Sequence, residues 1–206
     1  MGIYRPLVVT ALLEGCQLPE CGSPSSMRMN LMGSSREDPR VFYIVNGDKI
    51  LVYQFSTLTP SGLPTPIRRL SDPRCMNDDT NDKTINVIKV GYLGSDEVLV
   101  TADEAGDVCV WFTRNLQRDP LLLSVTKSAW GIAVHPEQRL IAISSNAYTA
   151  TVFHCGIDSR LSQRLLSGDT DSSILRGHDH NIPCVTFSPC GNFVATASVD
   201  RTCRTW

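Results

Sequence analysis

Apolar residues recur at every second position in short runs along most of this chain, and the runs are rich in Val, Ile, Thr and aromatic residues. Val41 to Phe55 holds two of them, VFYIV and KILVYQF, joined by Asn46-Gly47-Asp48, whose Asn-Gly pair suits the positive φ angles of a tight hairpin. Ile85 to Phe112 divides into INVIKVGYL, EVLVTA and DVCVWF, and Pro120 to Val125 supplies a fourth run. Ala129 to Val134, Arg139 to Ser144 and Thr149 to His154 repeat the arrangement, with Ile174 to Arg176 completing it. None of these runs carries a helical i, i+3, i+4, i+7 stripe, so the pattern predicts an all-β chain. Upstream, Pro6 to Leu13 reads as a strand, whereas Cys16 to Pro39 loses periodicity in a tract of Pro, Ser, Gly and Met and reads as a flexible segment. The expected organisation is an N-terminal strand plus flexible segment over 1–40, then a repeat body over 41–206 with loop insertions at 57–83 and 156–173.

Polar chemistry is most legible between Leu175 and Trp206. Gly177-His178 precedes two alternating runs, and a turn at Asp200 leads into a third that ends at Trp206. Hydrogen-bond arithmetic gives these residues a role. Asp200 accepts from one nitrogen of His178, the other nitrogen accepts from Ser198, and Ser198 accepts from the Trp206 indole. A buried polar group without a partner costs about 1 to 3 kcal/mol, so the circuit is worth building only when it is complete. The expected structural tetrad is therefore His178, Ser198, Asp200 and Trp206.

Tyr53, Trp111, Phe153 and Trp206 close comparable runs and serve as anchors of four repeats. The Trp111 to Phe153 interval fits a unit of roughly 40 to 45 residues, and the longer intervals coincide with the two polar insertions. Ala105 and Ala147 stand where Asp200 stands in the last repeat, so the circuit is expected to be broken in the earlier copies. Ser198, Asp200, Thr202, Arg204 and Trp206 resemble the WD40 repeat consensus, with Arg201 where that consensus has Gly. The resemblance implies a β-propeller. With about four degenerate blades and a last blade lacking its outer strand, the expectation is a partial, open WD40-type propeller, truncated at the C-terminus.

Composition narrows the function. The net charge is −2 and the longest basic run is Arg68-Arg69, so direct nucleic-acid binding is not expected. No run approaches the roughly 20 apolar residues of a membrane span. Arg5, the Leu7 to Leu13 run and Gly15-Cys16 resemble a signal peptide, but Glu14 argues against one. Cys109, Cys155, Cys184 and Cys203 fall in predicted strands, a pattern suited to reduced, buried thiols in an intracellular protein.

Candidate chemistry is thin. His178, His180, Cys184 and Cys190 lack a Cys-x2-Cys or His-x3-His pair, and the acidic-amide run Asn77 to Asp82 lacks a calcium-loop pattern. Met27, Met29 and Met32 read as gap-filling residues or part of a disordered segment rather than a metal or partner site. There is no nucleophile elbow, phosphate-cradling loop or dinucleotide fingerprint. No cofactor, metal, catalytic residue or small-molecule substrate is expected, and a zinc or thiol site is the least favoured alternative. Arg68-Arg69-Leu70-Ser71 resembles a basophilic kinase substrate in an exposed loop, making Ser71 a candidate phosphosite. Residues near the turns, Trp130, Asp179, His180, Asn181 and Arg201, are the candidate contacts for protein partners.

Three strings, INVIKVGYLGSDEVLVTADEAGDVCVW, SAWGIAVHPEQRLIAISSNAYTATVF and GHDHNIPCVTF, are similar to blocks of the fungal regulators of ribonucleotide reductase transcription. Ser128-Ala129-Trp130-Gly131, Ser144-Ser145-Asn146 and His180-Asn181-Ile182-Pro183 are the most distinctive pieces. This resemblance implies a nuclear or nucleocytoplasmic scaffold acting through protein partners, with some members tied to a cullin-type ubiquitin ligase. A generic cytoplasmic WD40 scaffold is the alternative.

Overall fold

The computed structural model describes residues 28, 30–55, 65–76, 82–156 and 171–206. The strand expected at Pro6 to Leu13, Met27, Met29 and most of the two polar insertions lie outside the described residues.

Among the described residues fifteen strands form four antiparallel sheets that follow one another along the chain. The first contains β1 (Met32–Ser34), β2 (Val41–Asn46), β3 (Lys49–Gln54) and β4 (Arg68–Ser71). The second contains β5 (Ile85–Leu93), β6 (Asp96–Asp103), β7 (Asp107–Phe112) and β8 (Leu121–Ser124). The third runs through β9 (Ala129–His135), β10 (Leu140–Ser145), β11 (Thr149–His154) and β12 (Ser172–Arg176). The fourth has β13 (Cys184–Phe187), β14 (Val194–Ala197) and β15 (Cys203–Thr205). Each sheet packs against the next through its first strand, β1 on β5, β5 on β9 and β9 on β13, in an open arc of the partial-propeller type. Among the described residues no helix is long and apolar enough to cross a membrane.

Period-2 alternation explains how a sheet in the middle of the stack is buried on both faces. Val98, Val100 and Ala102 of β6 join Val108 and Val110 of β7 in a cluster with Ile141, Ile143 and Phe153 of the third sheet. The intervening Leu99, with Cys109 and Trp111, packs the opposite way against Tyr43, Ile50, Val52 and Leu70 of the first sheet. A third cluster joins Ala133, Ala142 and Val152 to Val185, Val194 and Trp206. This double burial is why EVLVTA reads as a nearly continuous apolar run.

Two segments expected to be irregular contain strands. Met32–Ser34 pairs with β2 as β1, and Gly33 permits its approach to β5, since a Cβ there would meet Val90 Cγ2 at 3.1 Å. Arg68–Ser71 pairs with β3 as β4, held by buried Leu70. Both are short and mainly polar, so backbone pairing to a neighbour rather than side-chain pattern makes them strands. The thiols differ in the same way: Cys109 is buried, but Cys184 and Cys203 are exposed on either side of Ala197.

Candidate functional site

The last sheet carries a complete polar circuit with one member exchanged. His178 Nδ1 lies 2.7 Å from Asp200 Oδ2, and its Nε2 lies 2.8 Å from Thr196 Oγ1. The indole of Trp206 donates to the same Thr196 hydroxyl at 3.0 Å. With the His178 proton on Nδ1, donated to the carboxylate, Nε2 accepts from Thr196 and every polar atom in the chain of bonds is matched. Ser198 is not the link. Trp206 exchanges backbone hydrogen bonds with Val194, so the residue diagonal to its ring is Thr196, while Ser198 lies roughly 13 Å from Val194 along the strand. Its hydroxyl instead donates to the carbonyls of His180 and Asn181, both at 3.0 Å, and accepts from Asp200 N–H at 3.1 Å. Burial opposes ionisation of Asp200, but bonds from Thr202, Asp179 N–H and His178 outweigh it and hold its carboxyl well below the usual range.

The two preceding sheets solve the same problem differently. In the third, Val125, Ile143, Ala147 and Phe153 stand at the positions of His178, Thr196, Asp200 and Trp206, and Val125, Ile143 and Phe153 share one apolar cluster. In the second, Trp111 pairs with Leu99, which puts Thr101 at the Thr196 position, and the bond from Glu104 N–H to Thr84 O, matching that from Val199 to Asn181, puts Lys83 at the His180 position. A charged cluster accompanies them. Lys83 Nζ reaches Asp107 Oδ2 at 2.5 Å, and Arg74 bridges Asp72 at 2.7 Å and Asp107 at 2.9 Å. Asp103 accepts from Asp107 N–H at 2.7 Å, and burial, helped by the carboxylates of Asp107 and Asp72, pushes its own carboxyl up to about 6. The oxygens of Asp72, Asp103 and Asp107 lie within 4.8 Å of one another, but Arg74 and Lys83 already neutralise two of these three charges.

Sequence reasoning missed this cluster. The available signal was Lys83, a polar residue at the repeat position of a histidine.

The expected partner contacts gather where the loop leading into β13 meets the β14–β15 turn. Val199 N–H donates to Asn181 O at 2.9 Å, tying loop to turn. Asp179, His180 and Arg201 are exposed and Asn181 is half-buried. Tyr148, absent from the expected set, is 44% exposed, with its ring 5.8 Å from that of His180. Tyr148 and Arg201 occupy equivalent turn positions and share φ values of 64° and 70°, where Gly106 of the second sheet has 90°. Trp130 is half-buried at the start of β9, with no acceptor for its indole among the described residues. Ser71 stands in β4 opposite Lys49 and is half-buried, so the exposed loop expected around it is not found.

Successive antiparallel sheets stacked through their first strands, each hairpin anchored by an aromatic residue, define a propeller-type repeat protein. The family profile described as "WD domain, G-beta repeat" matches residues 170–206, the sheet with the complete circuit. An uncharacterized WD repeat-containing protein of Schizosaccharomyces pombe is 29% identical over 188 residues, covering 86% of this chain and 39% of that protein. A WD40 repeat-containing protein of Dictyostelium discoideum is 38% identical over 129 residues, covering 62% of this chain and 18% of that protein. The chain thus spans less than half the length of either relative, and the matches support a WD40-repeat protein.

Proposed function

We propose that the chain is a non-catalytic protein-interaction scaffold whose binding end is formed by the hairpin turns and the loops leading into each sheet. The supporting observation is the contiguous exposed group at that end: Tyr148 against His180, Val199 tied to Asn181, and the charged Asp179 and Arg201 beside them. Aromatic, apolar and charged side chains presented on turns of a rigid sheet array recognise a partner without covalent chemistry. The finer reading is regulation of ribonucleotide reductase gene transcription through protein partners, a cullin-type ubiquitin ligase among them, in the nucleus or between nucleus and cytoplasm. Its support is the similarity of INVIKVGYLGSDEVLVTADEAGDVCVW and GHDHNIPCVTF to that regulator family. A generic WD40 scaffold is the second reading, favoured by relatives whose names speak only of WD repeats.

The test uses the full-length gene product, tagged in its own cells, with a Tyr148→Ala/His180→Ala double variant in parallel. Recovery of cullin-ligase subunits by the natural protein, their loss with the variant, and altered reductase transcript levels on deletion are expected. Unchanged transcripts and no ligase subunits would remove the finer reading. An identical set of recovered proteins from variant and natural protein would remove the binding end.

A further inference from the structure

The end of the stack that carries the hairpin turns divides by charge. Around the second sheet its cations are neutralised within the protein: Arg28 pairs with Glu104, Lys83 with Asp107, and Arg74 with both Asp72 and Asp107. Around the third and fourth sheets they are not. Lys127, Arg176 and Arg201 are exposed, and among the described residues none of them has a carboxylate partner. Asp200 offers them nothing, because His178 at 2.7 Å and the Thr202 hydroxyl at 2.6 Å already hold its carboxylate. Asp179 is left as an exposed acid beside them. A chain of net charge −2 thus carries a locally positive surface.

Backbone bonds and register gather these side chains around Tyr148. Arg176 stands in β12 opposite Thr149, and Lys127 precedes Ser128, whose carbonyl accepts from Asn146 N–H at 2.9 Å. The ring of His180 lies 5.8 Å from that of Tyr148, and Arg201 follows in the neighbouring turn, which the Val199 to Asn181 bond ties to the same loop. Tyr148 and Arg201 hold left-handed φ values of 64° and 70°. That conformation is strained for a residue with a Cβ, and a strained turn tip kept for a large exposed side chain points to a contact made outside the molecule.

Resting on the scaffold reading above, we propose that this half of the binding end takes an acidic segment of a protein partner, its carboxylates set on Lys127, Arg176 and Arg201 and an apolar or aromatic residue seated on the Tyr148–His180 pair. Charge complementarity selects the occupant. Cations without internal partners keep their charge for a partner's carboxylates, and a guanidinium holds a carboxylate through two parallel hydrogen bonds. Neighbouring sheets lie about 10 Å apart and an extended segment rises about 3.3 Å per residue, so roughly six residues reach from Lys127 to Arg201. Asp179 within the group and the aspartates of the second sheet beside it repel a nucleic-acid backbone, whose phosphates run on past any such patch.

The test is fluorescence anisotropy of labelled probes against the whole chain, at low salt and at about 0.15 M. The probes are a Glu-rich peptide with a central Phe, its Lys-rich counterpart and oligothymidylate. The Glu-rich peptide is expected to bind and the Lys-rich one not. Arg176→Glu/Arg201→Glu should weaken the first by about tenfold or more and create binding to the second, a gain that loss of folding cannot imitate. Asp179→Asn should tighten the Glu-rich peptide several-fold. Arg118→Glu, in the exposed connection between β7 and β8 at the opposite end of the second sheet, should leave it unchanged. Equal affinity for the two peptides, an Arg118→Glu loss as large as that of the double reversal, or tighter binding of oligothymidylate would overturn the proposal. No binding of the Glu-rich peptide at either salt would overturn it too. If that happens while the Tyr148→Ala/His180→Ala variant still loses its cellular partners, the acidic occupant falls and the binding end stands; if the variant loses none, the binding end falls as well.

Discussion

The hydroxyl of Thr196 accepts the indole N–H of Trp206 at 3.0 Å while standing 2.8 Å from His178 Nε2, which makes it the hub of the fourth sheet. Thr196→Val keeps shape and β-propensity but strips both neighbours of their partner. Its cost is expected to be about 1 to 3 kcal/mol, the penalty for stranding buried polar groups. Ser198→Ala removes only the turn bonds and is expected to cost about 1 kcal/mol or less. Urea unfolding of the two variants measures this. A Ser198→Ala loss exceeding that of Thr196→Val would mean that the circuit runs through the serine after all.

Asp103 makes stability depend on pH in an unusual direction. Burial lifts its carboxyl from the ordinary value of 3.8 to about 6, so the folded protein holds this proton more tightly than the unfolded chain. The contribution to folding is complete below about pH 4 and is lost as pH rises through 6. Asp103→Asn keeps an oxygen for the Asp107 N–H and removes the buried charge. It should therefore stabilise the protein at pH 7 by roughly 1 to 3 kcal/mol, with the gain fading as pH falls through about 6 and gone below about pH 4. Thermal melts across that range decide the matter, and a gain that did not vary with pH would contradict the assignment.

What the sequence showed, and what it hid, follows from the same physics. Short apolar runs placed β2, β3, β5 to β7 and β9 to β11, because burial of one face leaves a period-2 trace and burial of both leaves a nearly continuous apolar run. It could not reveal β1 or β4, whose strand character comes from hydrogen bonds to a neighbour. The Asp200, His178 and Trp206 members of the circuit were legible from spacing. Parity alone could not choose between Thr196 in β14 and Ser198 just beyond its end, two residues apart; the register with β15 makes the choice. The Lys83 cluster was invisible for another reason. It draws Asp72 and Arg74 from the segment that follows the first sheet, so no local motif contains it.

The turn positions offer a test of backbone strain. Arg201 sits at φ 70° in a region that favours glycine, whereas Gly106 at the same place in the second sheet sits at φ 90°. Arg201→Gly is expected to stabilise the fourth sheet by about 1 kcal/mol, although the unfolded chain gains freedom that offsets part of this. Gly106→Ala is expected to destabilise, since a Cβ there meets the carbonyl of Lys127 as well as adverse φ. Both are read by Tm. A fall in Tm for Arg201→Gly would show that the arginine side chain holds the turn by a contact stronger than the strain.

Glu97 fixes the first sheet to the second. Its side chain is fully buried, and its carboxylate accepts from Ser35 Oγ at 2.8 Å, Arg36 N–H at 2.5 Å and Glu37 N–H at 3.0 Å. These donors lie in the connection between β1 and β2, so one carboxylate of β6 organises a loop of the neighbouring sheet. Bonds to a carboxylate are stronger than neutral ones, and the Glu37 N–H is shared only with the Ser35 hydroxyl at 3.2 Å. Glu97→Gln preserves volume but turns an amide donor toward at least one of them, at a cost of about 1 to 3 kcal/mol. The signature should be local. Hydrogen exchange at the Arg36 and Glu37 amides is expected to accelerate ahead of that in β14, because opening this clasp leaves the fourth sheet untouched. Uniform acceleration across all four sheets would instead mean that the carboxylate supports the whole stack.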